Sequence, residues 1–341
     1  MMRNPKSSLN AGFRLPRAVF RALATVRKHP LVTVLYLTYA CNLGCSFCVQ
    51  RRSRDRRPKP NTDDIPIEAW SRIIEELAEP CLPRSRVHLT GGEPLLAEVF
   101  PRIVRLLWQR RVPWTMTTNG TLLESHAESI VQYCARNVSV SIHGPPQVDA
   151  QTARPKGTFA RIRAGLEAVR RIRAIRKTRF PRITLNCVLG GHNYQIFDTL
   201  LDHLTSLEPD SITFQHPSEV IAGAAQEEIA KAVGRFMLNV SIKRGAVPVT
   251  FFPRVRLARL TQYYADPSSR FASTCSAPWF LLRVQPNGRV TPCGDNALGN
   301  VMRSSLHDLW YSEALSHFRR RLLRSGAQWK ACHRCCHRAY G

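Results

Sequence analysis

Cys41, Cys45 and Cys48 stand at CxxxCxxC spacing in the stretch Leu37-Thr38-Tyr39-Ala40-Cys41-Asn42-Leu43-Gly44-Cys45-Ser46-Phe47-Cys48. Three thiolates on one short loop can hold three irons of a 4Fe–4S cluster and leave the fourth iron open to a bound molecule. A zinc ion would ordinarily ask for a fourth protein ligand, or for His or carboxylate in the set. A second group closes the chain: Cys275, Cys293, Cys332, Cys335 and Cys336. Four thiolates drawn from this group would suit zinc or a fully ligated iron–sulfur cluster equally well by spacing.

Other polar residues sit at ends of apolar runs. Thr90-Gly91-Gly92-Glu93-Pro94 has paired glycines, which let a ligand approach the backbone and also serve a plain strand-to-helix turn. Thr117-Thr118-Asn119-Gly120 and Ser139-Val140-Ser141-Ile142-His143 end two further strand-like runs. His143 by itself reads as a hydrogen-bonded structural residue or as an acid or base. Arg154 follows; a guanidinium fork matches both oxygens of a carboxylate.

The elements that must position these groups alternate. Strands fit 33–40, 86–91, 113–118, 137–143, 182–190 and 210–216, and helices fit 65–79, 96–110, 121–134, 157–177, 193–206 and 224–243. Six βα units imply a parallel sheet whose working end is the C-terminal end of its strands. Thr115, Thr117 and Asn119, then Ser139, Ser141 and His143, then Thr184 and Asn186 share one parity on their strands, which gives the sheet a polar inner face. By the same parity Cys187 points to the helices as an ordinary buried thiol. Residues 1–32 form a basic amphipathic segment, with Val19, Phe20, Leu23 and Val26 on one face, placed across the bottom of the barrel or on a membrane surface. The barrel spans 33–245. Beyond 245 the alternation stops, and Gln285-Pro286-Asn287-Gly288 reads as a hairpin turn in a segment covering 246–341.

The net charge of +26 suits an acidic partner, although scattered arginines on solvated helix faces account for much of it. The charged run Arg51–Pro60 is either a mobile solvated loop or an anion clamp. No secretory h-region and no membrane-length apolar run is present, so the 11 cysteines are expected in a reducing cytoplasm, where clustered Cys means metal.

The cysteine loop, with Asn42 after the first Cys and Phe47 before the third, resembles the cluster motif of the radical S-adenosylmethionine (SAM) superfamily. Thr90–Pro94 resembles the family's GGE motif, the strand ends near Asn119 and Ser141 resemble its third and fourth strand endings, and Arg154 matches a family Arg that pairs with the SAM carboxylate. The C-terminal spacing, Gly299-Asn300-Val301 and the helix Ser305–Trp310 resemble the SPASM and Twitch auxiliary-cluster domains. The resemblance implies an α/β fold: a partial (β/α)6 TIM-like barrel with a small C-terminal SPASM/Twitch-like Cys-rich domain. It implies a 4Fe–4S cluster on Cys41, Cys45 and Cys48, SAM held by Phe47, Gly91, Gly92, Glu93, Asn119, Ser141 and Arg154, and an auxiliary 4Fe–4S cluster on Cys275, Cys293, Cys332 and Cys335, with Cys336 either spare or in place of Cys335. Relatives usually carry Asp where His143 stands, which leaves its catalytic role open.

The resemblance also implies reductive cleavage of SAM to a 5′-deoxyadenosyl radical that takes a hydrogen from a substrate. The foremost expectation is net oxidation of a small polar or anionic metabolite. Alternatives are a maturase that oxidises or cross-links a ribosomally made peptide, an epimerase with Cys81 or Cys134 returning hydrogen, and a non-enzymatic metal scaffold binding nucleic acid. The SAM-site motifs weigh against the last. A reducing protein such as flavodoxin or ferredoxin is an expected partner, and peripheral membrane contact is a further option.

Overall fold

A computed structural model of the chain describes residues 24, 26–48, 64–152, 154–217, 225–243, 245–266, 275–325 and 335. Seven strands run parallel in chain order: β1 (Val32–Tyr36), β2 (Arg86–Thr90), β3 (Trp114–Thr118), β4 (Asn137–Ser141), β5 (Arg182–Val188), β6 (Ser211–Gln215) and β7 (Val249–Phe252). β2 to β6 fall within the strands expected from sequence, and β1 starts one residue before its expected bounds of 33–40. β7 was not expected: four residues ending at a proline carry too little pattern to be read as a strand. It extends the sheet beyond residue 245.

The crossovers carry α1 (Ile67–Ala78), α2 (Phe100–Gln109), α3 (Leu123–Gln132), the short α4 (Pro146–Gln151), α5 (Thr158–Ile175), α6 (Phe197–Thr205) and α7 (Gln226–Ile242), with α8 (Leu260–Ala265) after β7. Each long helix buries residues at helical spacing. α1 buries Ala69, Trp70, Ile73, Ile74 and Leu77, and α2 buries Phe100, Ile103, Val104 and Leu107. These face the sheet residues of opposite parity, such as Trp114, Met116, Val138, Val140 and Leu185, so the main core lies between sheet and helices.

The C-terminal region adds β8 (Leu281–Val284), β9 (Arg289–Thr291), β10 (Gly299–Asn300), α9 (Leu306–Tyr311) and α10 (Glu313–Ser325). The expected hairpin joins β8 to β9. β8 pairs in parallel with β1, so among the described residues one sheet of ten strands runs β10-β9-β8-β1-β2-β3-β4-β5-β6-β7. The two cysteine-bearing regions therefore share a backbone hydrogen-bond ladder.

The polar inner face expected from parity is present. His88 lies between the hydroxyls of Thr115 (2.9 Å) and Thr117 (3.1 Å). Thr184 donates to Asn137 (2.9 Å) and pairs with Ser211 (2.9 Å), and Asn186 donates to Gln215 (3.3 Å). Cys187 is buried on the helix side, as expected, and burial pushes its thiol far up.

At the N-terminal strand ends, Arg27 is buried. It donates to His29 O (3.2 Å), Ser85 Oγ (3.0 Å) and Pro83 O, while its own carbonyl accepts from Trp310 Nε1 (3.1 Å) and Tyr311 Oη (2.6 Å). The described end of the N-terminal segment is thus fixed to the base of the barrel. Its expected apolar face (Val19, Phe20, Leu23) and the run Arg51–Pro60 lie outside the described residues. Among the described residues no helix is long and apolar enough to cross a membrane.

Candidate active site

At the C-terminal strand ends a cavity of about 390 Å³ opens between the cysteine loop and the ends of β2 to β6. Cys41, Cys45, Phe47, Cys48, Gly91, Gly92, Asn119, Ser141, His143 and Arg154 all line it, so the strand-end rule gathers residues that lie up to 113 positions apart in sequence.

The glycine pair has a local cause. A Cβ on Gly92 would lie 2.1 Å from Ala40 O, and one on Gly91, at φ +148°, would lie 2.4 Å from Thr38 O. Gly92 N–H donates to Thr38 O (2.8 Å) and Glu93 N–H to Ala40 O (2.8 Å). The close approach that requires glycine is therefore that of the chain entering the cysteine loop.

Glu93 also differs from expectation. Its carboxylate is fully buried beneath the cavity and does not line it. It accepts from Thr118 Oγ1 (2.7 Å), Asn119 N–H (2.7 Å) and Leu95 N–H (3.2 Å). Burial raises its pKa to about 7, against those three hydrogen bonds. Its side chain latches the β2 and β3 ends together.

Asn119 is the next link. Its amide nitrogen donates to Asn42 Oδ1 (2.9 Å) and approaches Cys41 Sγ at 3.9 Å; its oxygen accepts from Thr121 N–H (2.9 Å) and Oγ1 (2.7 Å). Asn42 Nδ2 returns a bond to Thr121 Oγ1 (2.8 Å). The cysteine loop is tied elsewhere by Ser46 N–H to Thr152 O (3.2 Å) and, at its root, by Tyr39 Oη to Gln285 (2.8 Å) at the β8–β9 turn.

The donors around the sulfurs suit a cluster. Leu43 N–H donates to Cys41 Sγ (3.4 Å), and Arg154 Nε donates to Cys45 Sγ (3.4 Å) while Nη1 reaches Ser141 O (3.3 Å). N–H groups and a cation aimed at sulfur stabilise thiolate charge and tune a cluster. Among the described residues no three His, Cys, Asp or Glu side chains converge closely enough for a single metal ion.

Three histidines line the cavity, all held neutral by burial. His143 Nδ1 accepts from Val188 N–H (3.1 Å), which puts the proton on Nε2; burial, with Arg154 and His192 nearby, holds its pKa well below normal. Phe47 packs edge-on to His143 (4.6 Å) and stacks on His192 (4.7 Å). His192 Nε2 bonds Val188 O (3.1 Å) and its pKa falls to about 4. His216, on the β6 end, bonds Tyr264 Oη through Nδ1 (2.8 Å), and its buried Nε2 has no hydrogen-bond partner among the described residues. Sequence reading missed His192, His216, Gln215 and Tyr264. Gly190-Gly191-His192 after the fifth strand and Gln215-His216 after the sixth carried the signal, since both follow strand ends as Gly91-Gly92 does.

Cys275 is buried just before the turn Ala277–Trp279, and Cys293, after β9, and Cys335 are half-buried. Cys332 and Cys336 lie outside the described residues. Cys81 and Cys134 precede β2 and β4, at the opposite end of the strands from the cavity, and neither lines it.

The radical SAM superfamily model matches residues 35–204, and the model of an iron–sulfur cluster-binding domain, SPASM, matches 275–336. The chain belongs to the radical SAM superfamily and carries a C-terminal SPASM domain. It is an enzyme whose cofactors are a 4Fe–4S cluster and SAM, with an auxiliary cluster expected. It is similar to the PqqA peptide cyclase of Granulibacter bethesdensis (22% identity, 82% of this chain, 74% of that protein). It also resembles the sporulation killing factor maturation protein SkfB of Bacillus subtilis (22%, 82% of this chain), of whose length it spans 64%. A GTP 3′,8-cyclase of Pseudomonas aeruginosa is 24% identical over 76% of this chain and 77% of that protein. The fold is that of Streptococcus suis SuiB, solved with precursor peptide SuiA (TM-score 0.64, 17% identity, 89% of this chain and 70% of that one).

Proposed function

We propose that this radical SAM enzyme is a maturase that oxidises or cross-links a ribosomally made peptide. The observation that carries the reading is that two relatives named for peptide cyclisation and maturation align over 82% of the chain. The cavity supports it. Its far wall, at the β5 and β6 ends, presents the Gln215 amide and the neutral imidazoles of His192 and His216, groups that hydrogen-bond uncharged peptide units.

The GTP 3′,8-cyclase relatives favour a second reading, a small anionic substrate. Against it, the cation among the described lining residues is Arg154, already engaged with Cys45 Sγ and Ser141 O, whereas a triphosphate wants several unspent positive groups.

On this proposal the chain's residues divide the work. Cys41, Cys45 and Cys48 hold the cluster, and SAM, once bound there, supplies a hydrogen-abstracting radical. Asn119 and Asn42 brace Cys41, and Glu93 fixes the strand end that carries Asn119. Arg154, on the cavity wall, is the residue assigned to the SAM carboxylate, with Ser141 beside it. His143, protonated on Nε2, serves as a hydrogen-bond donor and not as a base. Cys275, Cys293, Cys332 and Cys335 would hold the auxiliary cluster with a full set of thiolates, and such a cluster would supply an electron acceptor for an oxidation.

The test is anaerobic incubation of reconstituted enzyme, SAM and dithionite with the short peptides encoded beside its gene, and separately with GTP. A peptide that loses two hydrogens with matching 5′-deoxyadenosine is the expected result. Consumption of GTP with every peptide unchanged overturns the reading.

A further inference from the structure

The C-terminal helix α10 has two unlike faces. Leu315, Phe318 and Leu322 are buried. On the other side His317, Arg320, Arg321 and Arg324, spaced i, i+3, i+4 and i+7, are exposed and line a surface hollow of about 350 Å³. Arg320, Arg321 and Arg324 are like charges at i, i+1 and i+4, and the i, i+4 and i, i+3 pairs repel along a helix, so helix propensity does not place them together.

The helix is also held in a particular place. Arg319 donates to Pro278 O (3.0 Å), and its guanidinium lies over the Trp310 ring at 4.5 Å. Pro278 belongs to the turn Ala277–Trp279, which directly follows Cys275. The basic ridge is thus fixed beside the part of the chain expected to hold the auxiliary cluster.

We propose that the ridge formed by His317, Arg320, Arg321 and Arg324 is the docking surface for an acidic protein electron carrier. The chemistry requires one. Each turnover draws one electron to split SAM into methionine and a 5′-deoxyadenosyl radical, which leaves as 5′-deoxyadenosine after taking a substrate hydrogen atom. The substrate radical then loses one electron and a proton, and that electron returns to the carrier. A one-sign ridge attracts an acidic partner, speeds its association and loses grip as salt rises. The inference rests on the cofactors and not on the peptide reading, because SAM cleavage without substrate already needs the first electron.

The test uses reconstituted holoenzyme and a bacterial flavodoxin with its reductase and NADPH. Binding of oxidised flavodoxin is measured by anisotropy at low and high salt, and 5′-deoxyadenosine formation is measured with flavodoxin or with dithionite. In Arg320→Glu/Arg324→Glu, flavodoxin binding and flavodoxin-driven cleavage should each fall by about tenfold or more, with dithionite-driven cleavage and iron content unchanged. Arg320→Lys/Arg324→Lys should retain both. Arg102→Glu/Arg105→Glu, exposed on α2, controls for net charge. Equal loss in that control, equal loss with dithionite, or a ridge variant that keeps flavodoxin but releases a labelled single-stranded oligonucleotide each overturns the proposal.

Discussion

Two buried arginines at opposite ends of the same strands, Arg27 and Arg154, show how differently a buried cation can be placed. At the N-terminal ends, Arg27 spends its donors on His29 O, Pro83 O and Ser85 Oγ, and Trp310 and Tyr311 cap its carbonyl. Every contact joins one part of the chain to another. At the C-terminal ends, Arg154 stands on a cavity wall between a cysteine sulfur and the β4 carbonyl. Burial is alike in the two; they differ in place, Arg27 among the segments of the barrel base and Arg154 on the wall of the cavity.

The sharpest break in the comparison is at the thiols. Cys41→Ala/Cys45→Ala/Cys48→Ala should abolish reductive SAM cleavage outright and reduce reconstituted iron from about eight to about four per chain. Iron analysis and 5′-deoxyadenosine assay check this together. A variant that still cleaves SAM would refute the assignment of these cysteines.

At the other end, Arg27→Ala should cost about 3–5 kcal/mol of stability, because His29 O, Pro83 O and Ser85 Oγ lose their donor at the base of the barrel, while the Arg27 carbonyl keeps its bonds from Trp310 and Tyr311. Urea unfolding measures it. SAM affinity of the folded fraction should not change. Arg154→Ala should show the opposite pattern, with SAM binding weakened by about 1.5–3 kcal/mol and little loss of stability. Arg154→Lys should recover only part, since an ammonium lacks the fork.

What could be read from sequence depends on distance along the chain. The first six strands and their helices declare themselves through local periodicity, and the inner face through parity. The cysteine loop and the Arg154 position were likewise legible, since each is a local pattern. The Glu93 latch was not, because its partners Thr118 and Asn119 sit 25 and 26 residues on, and nothing local marks a carboxylate as internally satisfied. The pairing of β8 with β1 joins Val32 to Leu281, a contact no local pattern announces. His216 was hidden for a related reason: its interest lies in an Nε2 without a hydrogen-bond partner among the described residues, which is a property of packing.

The buried imidazoles sharpen the contrast through pH. Burial lowers His216 to about 3, below the 6.5 of the unfolded chain. Above pH 6.5 both states are neutral and nothing is gained. As pH falls below it, the unfolded chain takes a proton that the folded one refuses, so stability drops by about 1.4 kcal/mol by pH 5.5 from this group alone. His88 and His192, lowered to about 3 and about 4 by burial, add to the loss. Urea midpoints at pH 7.5 and 5.5 should differ accordingly, and His216→Gln should narrow the gap. An unchanged midpoint between the two pH values would show that these rings are not held neutral.

The smallest expected effect is none, and it decides between reaction outcomes. An epimerase returns a hydrogen atom to the substrate radical, and a thiol must reach that radical to do so. Cys81 and Cys134 lie before β2 and β4, at the wrong end of strands that each run about 17 Å. Cys187 is buried against the helices with its thiol held protonated. None of the three lines the cavity. Cys81→Ala and Cys134→Ala should therefore leave the rate, the 5′-deoxyadenosine yield and the product mass of the wild type. Cys275→Ala should still make 5′-deoxyadenosine but lose most oxidised product, because the electron from the substrate radical then has nowhere to go. Running all three in D2O separates the outcomes. Solvent deuterium fixed in a product of unchanged oxidation state, and absent only in Cys81→Ala or Cys134→Ala, would show that a thiol from the far end does reach the substrate.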